Sequence, residues 1–174
     1  MALYRFEDRT PTIGQGAWIS DSARVIGDVE IGSDCYIGHG AVLRGDYGSI
    51  RIGPGTAVEE NAVIHIRPDG LSVLGERVTV GHGAILHCNR IEDFAVVGMG
   101  AVLSFDVEVG SWAIVAEGCS VPKGMKIPAG KIATGVPARV AGDVQERHKE
   151  FWKYGKQLYV DLAHQYPSAF ERID

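Results

Sequence analysis

Residues 91–121 read IEDFAVVGMGAVLSFDVEVGSWAIVAEGCSV, with an aliphatic residue at every sixth position: Ile91, Val97, Leu103, Val109, Val115 and Val121. Four positions after the first five of these comes a thin side chain: Ala95, Ala101, Val107, Ala113 and Cys119. The hexad runs on to Ile127. Upstream it passes through Leu74, Val80 and Leu86, through Ile52, Val58 and Ile64, and through Ile13, Ile19, Val25, Ile31, Ile37 and Leu43. A helix of period 3.6 cannot hold a period of six on one face over such a length. A parallel β-helix can: each hexad forms one side of a triangular coil, three hexads complete a turn, and the aliphatic residues stack inside. Successive turns then lie about 4.8 Å apart. Cys35 and Cys119 fall on the thin interior position and read as core.

Composition agrees with one folded, all-β domain plus a terminal element. The chain has 174 residues, 45% of them apolar, with 23 glycines, which is enough for a core and argues against disorder. Acidic residues outnumber basic ones, 22 to 17, so there is no basic footprint for nucleic acid. The three cysteines lack Cys-x-x-Cys spacing, which points to a reducing compartment. No apolar run is long enough for a membrane span or secretory signal, so the expectation is a cytoplasmic protein with no membrane partner.

The repeat breaks in three places. The Leu43 hexad grows to nine residues (LRGDYGSIR), the Ile64 hexad grows to ten (IHIRPDGLSV), and the Leu86 hexad shrinks to five (LHCNR). Extra residues in a solenoid are expected to leave as loops on one side, which marks a working face. Counting hexads puts Arg44, His65 and His87 in one column on adjacent turns. It puts Glu60, His82 and Met99 in a second column on the preceding face.

Taken singly, a histidine beside a coil corner reads as a surface residue. Three histidines within 65–87, all registering on neighbouring lattice positions, read as ligands. Stacked imidazoles can converge on one ion at about 2.0–2.1 Å per nitrogen. The third histidine points from another face, but a threefold axis would lay one subunit's second column against its neighbour's first. A homotrimer would thus complete a three-histidine site at each seam and bring Arg44 near the neighbouring Glu60. Three histidines plus water is the open arrangement of catalytic zinc. Met99 is expected to pack beneath the metal. Cys88 reads as either a residue behind the ligands or an exposed one, and His39 receives no role.

With those segments in view, LRGD at 43–46, NAVIH at 61–65, VTVGHGAILH at 78–87, VVGMGA at 96–101 and GVPAR at 135–139 together resemble the gamma-class carbonic anhydrase family over nearly the whole chain. The resemblance implies a left-handed β-helix, a trimer, and zinc, with iron or cobalt in some members. It implies His65 and His87 from one subunit and His82 from the next as ligands. It also implies an intersubunit pair between Arg44 and Glu60, with Asp46 organising the same interface. Where the family has Gln-Asp, this chain has Glu59-Glu60, and Glu59 becomes the candidate for orienting water or taking its proton.

The implied activity is reversible hydration of CO2 to bicarbonate by metal-activated water at subunit interfaces. Tyr47 and the short IRPDGLSV loop resemble the shorter-loop branch, whose members accompany carnitine or phenylacetate metabolism. The alternatives are therefore a coenzyme A thioester hydrolase or acyltransferase-like accessory protein, or a non-catalytic metal-binding trimeric assembly protein.

The β-helix is expected over 1–142, with residues 1–12 as a cap, and a helical segment over 143–174. Periodicity predicts a helix over 144–163 whose packed face carries Val144, His148, Phe151, Trp152, Gly155, Tyr159 and Leu162, with Pro167 beyond its end. By the resemblance, Tyr159 is a candidate hydroxyl at the metal pocket; as a residue of the packed face it reads equally as core.

Overall fold

The computed structural model describes residues 3–173; Met1 and Ala2 of the expected cap, and Asp174, lie outside the described residues. Strands of mostly two residues recur and pair in parallel with the strand one turn away, as in Val97 with Val115, Leu103 with Val121 and Val109 with Ile127, until Lys131–Thr134 and Arg139–Asp143 close the coil as an antiparallel pair. The result is a left-handed parallel β-helix followed by a C-terminal α-helix. Residues Leu3–Tyr4 and Thr12–Ile13 pair alongside strand Arg24–Ile31.

The hexad aliphatics from Ile19 to Ile127 are buried, as are the thin residues from Ala23 to Cys119. Thr56 is the polar member of the thin set. Its hydroxyl donates to the Gly75 carbonyl at 2.8 Å and accepts from the Val78 N–H at 3.0 Å, so it carries no desolvation penalty. Glycine beside an aliphatic residue allows close approach of turns: a Cβ at Gly81 would lie 2.7 Å from the Met99 nitrogen.

Two sequence expectations about the breaks need correction. The nine-residue LRGDYGSIR stretch does not leave as a loop, because Val42–Ile52 stays one continuous strand around a corner. Asp46 to Ser49, four residues against the single Asp28 of the neighbouring strand, are absorbed as a bulge between Gly45, opposite Gly27, and Ile50, opposite Val29. Only the Ile64 segment makes a turn, at Pro68–Asp69. Cys88 is not exposed. It is fully buried in the core beside Ile66, because the shortened hexad continues strand alternation past His87 and turns residue 88 inward.

The helix spans Glu146–Ala169, longer than expected, and Pro167 sits inside its last turn. Tertiary packing accounts for the extension: Tyr166 lies 4.0 Å from the Trp18 ring and Phe170 lies 5.3 Å from His39, centroid to centroid. The docked stripe is also rotated from the expected one. Lys156, Val160 and Ala163 are buried, with Trp152, Tyr159, Leu162 and Tyr166 beside them, whereas Phe151 is 66% exposed.

The outward residues give the three stacks of strands different characters. On the first, Trp18, Tyr36, Ala57, Thr79 and Val96 form a ladder covered by the helix, and the last four are buried. The second carries Val42 and Val63, half-buried, and Ile85 and Val102, exposed at 40% and 41%, and no helix of the described residues lies over them. The third is mostly charged: Glu30, Arg51, Val73, Arg90, Glu108 and Lys126. Ion pairs such as Arg51 with Glu30 at 2.8 Å and Lys126 with Glu108 at 3.1 Å cross its strands.

Candidate functional site

The sequence-predicted residues fall into two groups on either side of the bare Val63/Ile85/Val102 ladder. Parallel pairing of Leu43 with Ile64, and of Ile64 with Leu86, stacks Arg44, His65 and His87, each the residue after its buried aliphatic. The two imidazoles meet edge to face at 5.2 Å. Phe105 packs 4.8 Å above His87, and Tyr47 packs 6.1 Å from His65, so four rings climb the edge together.

Arg44 lies against this column. Its Nη2 is 2.8 Å from His65 Nε2 and its Nε is 3.3 Å from Asp46. A guanidinium only donates, so His65 accepts at Nε2 and carries its lone pair there. Burial, and then the positive charge of Arg44, hold both imidazoles below their ordinary proton affinity. His87 Nδ1 is buried without a hydrogen-bond partner.

The second group gathers around His82. Its Nδ1 is 2.7 Å from Glu60 Oε2, and its Nε2 is 3.2 Å from Glu59 Oε2, which also accepts the His82 backbone N–H at 3.1 Å. Glu59 is buried, and the turns above and below it carry glycine at the same register position, Gly38 and Gly81. Burial pushes its carboxyl above the usual range against the opposing pull of His82 and of a hydrogen bond from Tyr159. For Glu60, burial works upward but is outweighed by the Tyr36 hydroxyl, which donates at 2.7 Å, and by His82; the net effect is a lowered affinity. Met99 stands one turn above His82 and is 51% exposed.

Within one chain Arg44 therefore pairs with Asp46 and His65, and Glu60 pairs with His82 and Tyr36. Among the described residues, no three His, Cys, Asp or Glu side chains of a single chain come together as a metal site. His39 instead shares a hydrogen bond with the Ser20 hydroxyl at 2.7 Å inside an aromatic cluster, and His148 accepts the Gln145 N–H at the helix start. Sequence reasoning passed over Tyr36, Phe105 and Lys156. The register placed Tyr36 one turn below Ala57, which precedes Val58 and Glu59; nothing in the pattern marked Lys156, whose burial depends on how the helix docks.

Comparisons with known proteins follow this architecture. The family model described as "Bacterial transferase hexapeptide (six repeats)" matches residues 10–45. The chain is 34% identical to carnitine operon protein CaiE of Escherichia coli K12 over 94% of its own length and 83% of that protein's. It is 35% identical to the mitochondrial gamma carbonic anhydrase 2 of Arabidopsis thaliana over 96% of its own length, and it spans 64% of that relative.

The chain belongs to the hexapeptide-repeat family that holds both groups.

A crystal structure from Bacillus cereus described as a putative acetyltransferase superposes on this member of the family with a TM-score of 0.94 at 31% identity. The superposition covers 97% of this chain and 98% of that one. The similarity thus extends to gamma carbonic anhydrases and to CaiE-type hexapeptide proteins alike. No helix among the described residues is long and apolar enough to cross a membrane.

Proposed function

We propose that this chain is a hexapeptide-repeat enzyme that activates water against an electrophilic carbonyl carbon, at a site formed where two copies meet. The observation that carries the reading is the bare Val63/Ile85/Val102 ladder, with His65 and His87 on one edge and His82 on the other. Burying such a ladder against a second copy is favourable by about 25 cal/mol per Å2 of apolar area removed from water. Around a threefold axis the same burial sets the His82 edge of one copy against the His65/His87 edge of the next.

The donor set suits a divalent metal, zinc first and iron or cobalt next. His65 and His87 favour the neutral form that ligates, His65 presents a lone pair at Nε2, and a buried nitrogen of His87 has no other partner. Bound there, the metal supplies a Lewis acid that lowers the proton affinity of water. Arg44 guards the His65 lone pair in the single chain; pairing with the neighbouring Glu60 would release it. Glu59, its affinity raised by burial and its position set by His82 and Tyr159, is the group that takes a proton from water and passes it on. Tyr159 orients that carboxylate as a donor.

Two substrates fit this chemistry. The histidine set favours CO2, hydrated to bicarbonate. The structure described as a putative acetyltransferase, matched over 98% of its length, favours an acyl thioester as substrate of a hydrolase or acyltransferase-like accessory protein, and gives this second reading the broader support. Purified protein with measured metal content, kept free of oxygen, is to be assayed for CO2 hydration by stopped flow and for thiol release from acyl-coenzyme A. His82→Ala and His65→Ala are each expected to be inactive, and random mixing of the two is expected to restore roughly one seam in four. A mixture that stays inactive while mass spectrometry shows mixed assemblies overturns the shared site. A metal-loaded assembly inert to both substrates overturns the enzyme reading in favour of a non-catalytic assembly protein.

A further inference from the structure

Lys156 is the largest fully buried side chain of the protein, at 1% exposure, and neither the repeat nor the histidine columns account for it. It projects from the C-terminal helix onto the covered ladder. Its Nζ donates to Thr79 Oγ1 and to the Ala95 carbonyl, both at 3.0 Å. Thr79 precedes Val80, Gly81 and His82 in the chain, and its strand pairs with Ala57–Val58, which leads directly into Glu59. Three residues further along the helix stands Tyr159, whose hydroxyl donates to Glu59. One face of the helix therefore carries an anchor and a working hydroxyl less than one turn apart, both set against the strands that present Glu59 and His82.

The two acceptors match a neutral amine, which has two N–H groups. An ammonium would bring a third donor; the Trp152 ring, its centroid 5.7 Å from Nζ, favours that charge, and burial opposes it. The charged groups acting on it are Glu59, which favours the proton, and Arg77, which opposes it; burial outweighs both and pulls the amine down to about 7.

We propose that Lys156 is a positioning residue: as a neutral amine it holds the helix in the register that places Tyr159 on Glu59, and its protonation releases that turn of the helix. The inference rests on the reading that Glu59 and Tyr159 belong to the working site, but its test needs neither metal nor substrate. Amide hydrogen exchange of residues 156–163, corrected for intrinsic rates, is to be followed from pH 5.5 to 9 in metal-free wild-type protein. The 13Cζ signal of Tyr159 is recorded on the same samples. Opening is expected to increase roughly tenfold per pH unit as the pH falls from 9 towards 7 and to level off below that, with the Tyr159 signal moving in step.

Lys156→Met is expected to flatten both profiles. His164→Gln, which removes the imidazole that faces Asp34 from the same helix, is expected to keep them. Persistence of the transition in Lys156→Met, or its loss in His164→Gln, overturns the proposal. Should Lys156→Met fail to fold, a wild-type profile flat between pH 6 and 8 overturns it equally. Failure of the CO2 and thioester assays leaves this titration unaffected, so the two ideas fall separately.

Discussion

Two outward ladders of the same coil have opposite fates. Trp18, Tyr36, Ala57, Thr79 and Val96 lie beneath a helix supplied by their own chain, whereas Val63, Ile85 and Val102 face outward with no helix of the described residues across them. Both satisfy the same interior repeat, so the coil has no use for the difference. What differs is what stands at their edges. The covered ladder ends in aromatic rings and a buried lysine, while the bare one is bracketed by three histidines that one chain cannot bring together. On the function proposed above, a second copy would cover that apolar strip and join the two histidine groups.

The most severe way to break this contrast is to charge the bare ladder. Ile85→Asp combined with Val102→Asp should leave the circular dichroism of the coil intact, reduce the mass seen in sedimentation to one chain, and abolish any activity of the shared site. Attack on the covered ladder should damage stability instead. Tyr36→Ala removes a buried ring stacked 5.0 Å from Trp18 and donating to Glu60, and should cost about 3–5 kcal/mol in denaturant unfolding.

Lys156 sharpens the comparison through pH. Its amine titrates at about 7 when folded against an ordinary value of 10.5, so between those limits the unfolded chain binds the extra proton and stability rises with pH. The slope from this group is at most about 1.4 kcal/mol per pH unit, and Lys156→Met should remove it from the urea midpoint measured between pH 7 and 9. The smallest effect belongs to the helix face turned away from the coil. Phe151→Ser should change the unfolding free energy by less than about 0.5 kcal/mol, despite the place of Phe151 in the expected packed stripe.

Much of the site could be read without coordinates because a hexad lattice converts sequence distance into spatial position. His65 and His87, twenty-two residues apart, were assignable to adjacent turns once the ten-residue hexad was counted as one side, and their rings do meet, edge to face. Where local length was ambiguous, counting failed. Nine residues from Leu43 could form a loop or bend around a corner, and only hydrogen bonding to the turns on either side, through Gly27 and Gly70, selected the second. The five-residue hexad likewise hid that Cys88 turns inward.

The amino-acid sequence by itself determined the coil, its core and the two histidine columns, because a period of six with thin residues at fixed offsets has one compact solution. Tertiary structure decided which outward ladder the helix covers, how far that helix runs past Pro167, and that Lys156 rather than Phe151 is buried. A helical periodicity defines a stripe only to within the rotation that the opposing surface selects, and here that surface is assembled from residues 18 to 96 of the chain.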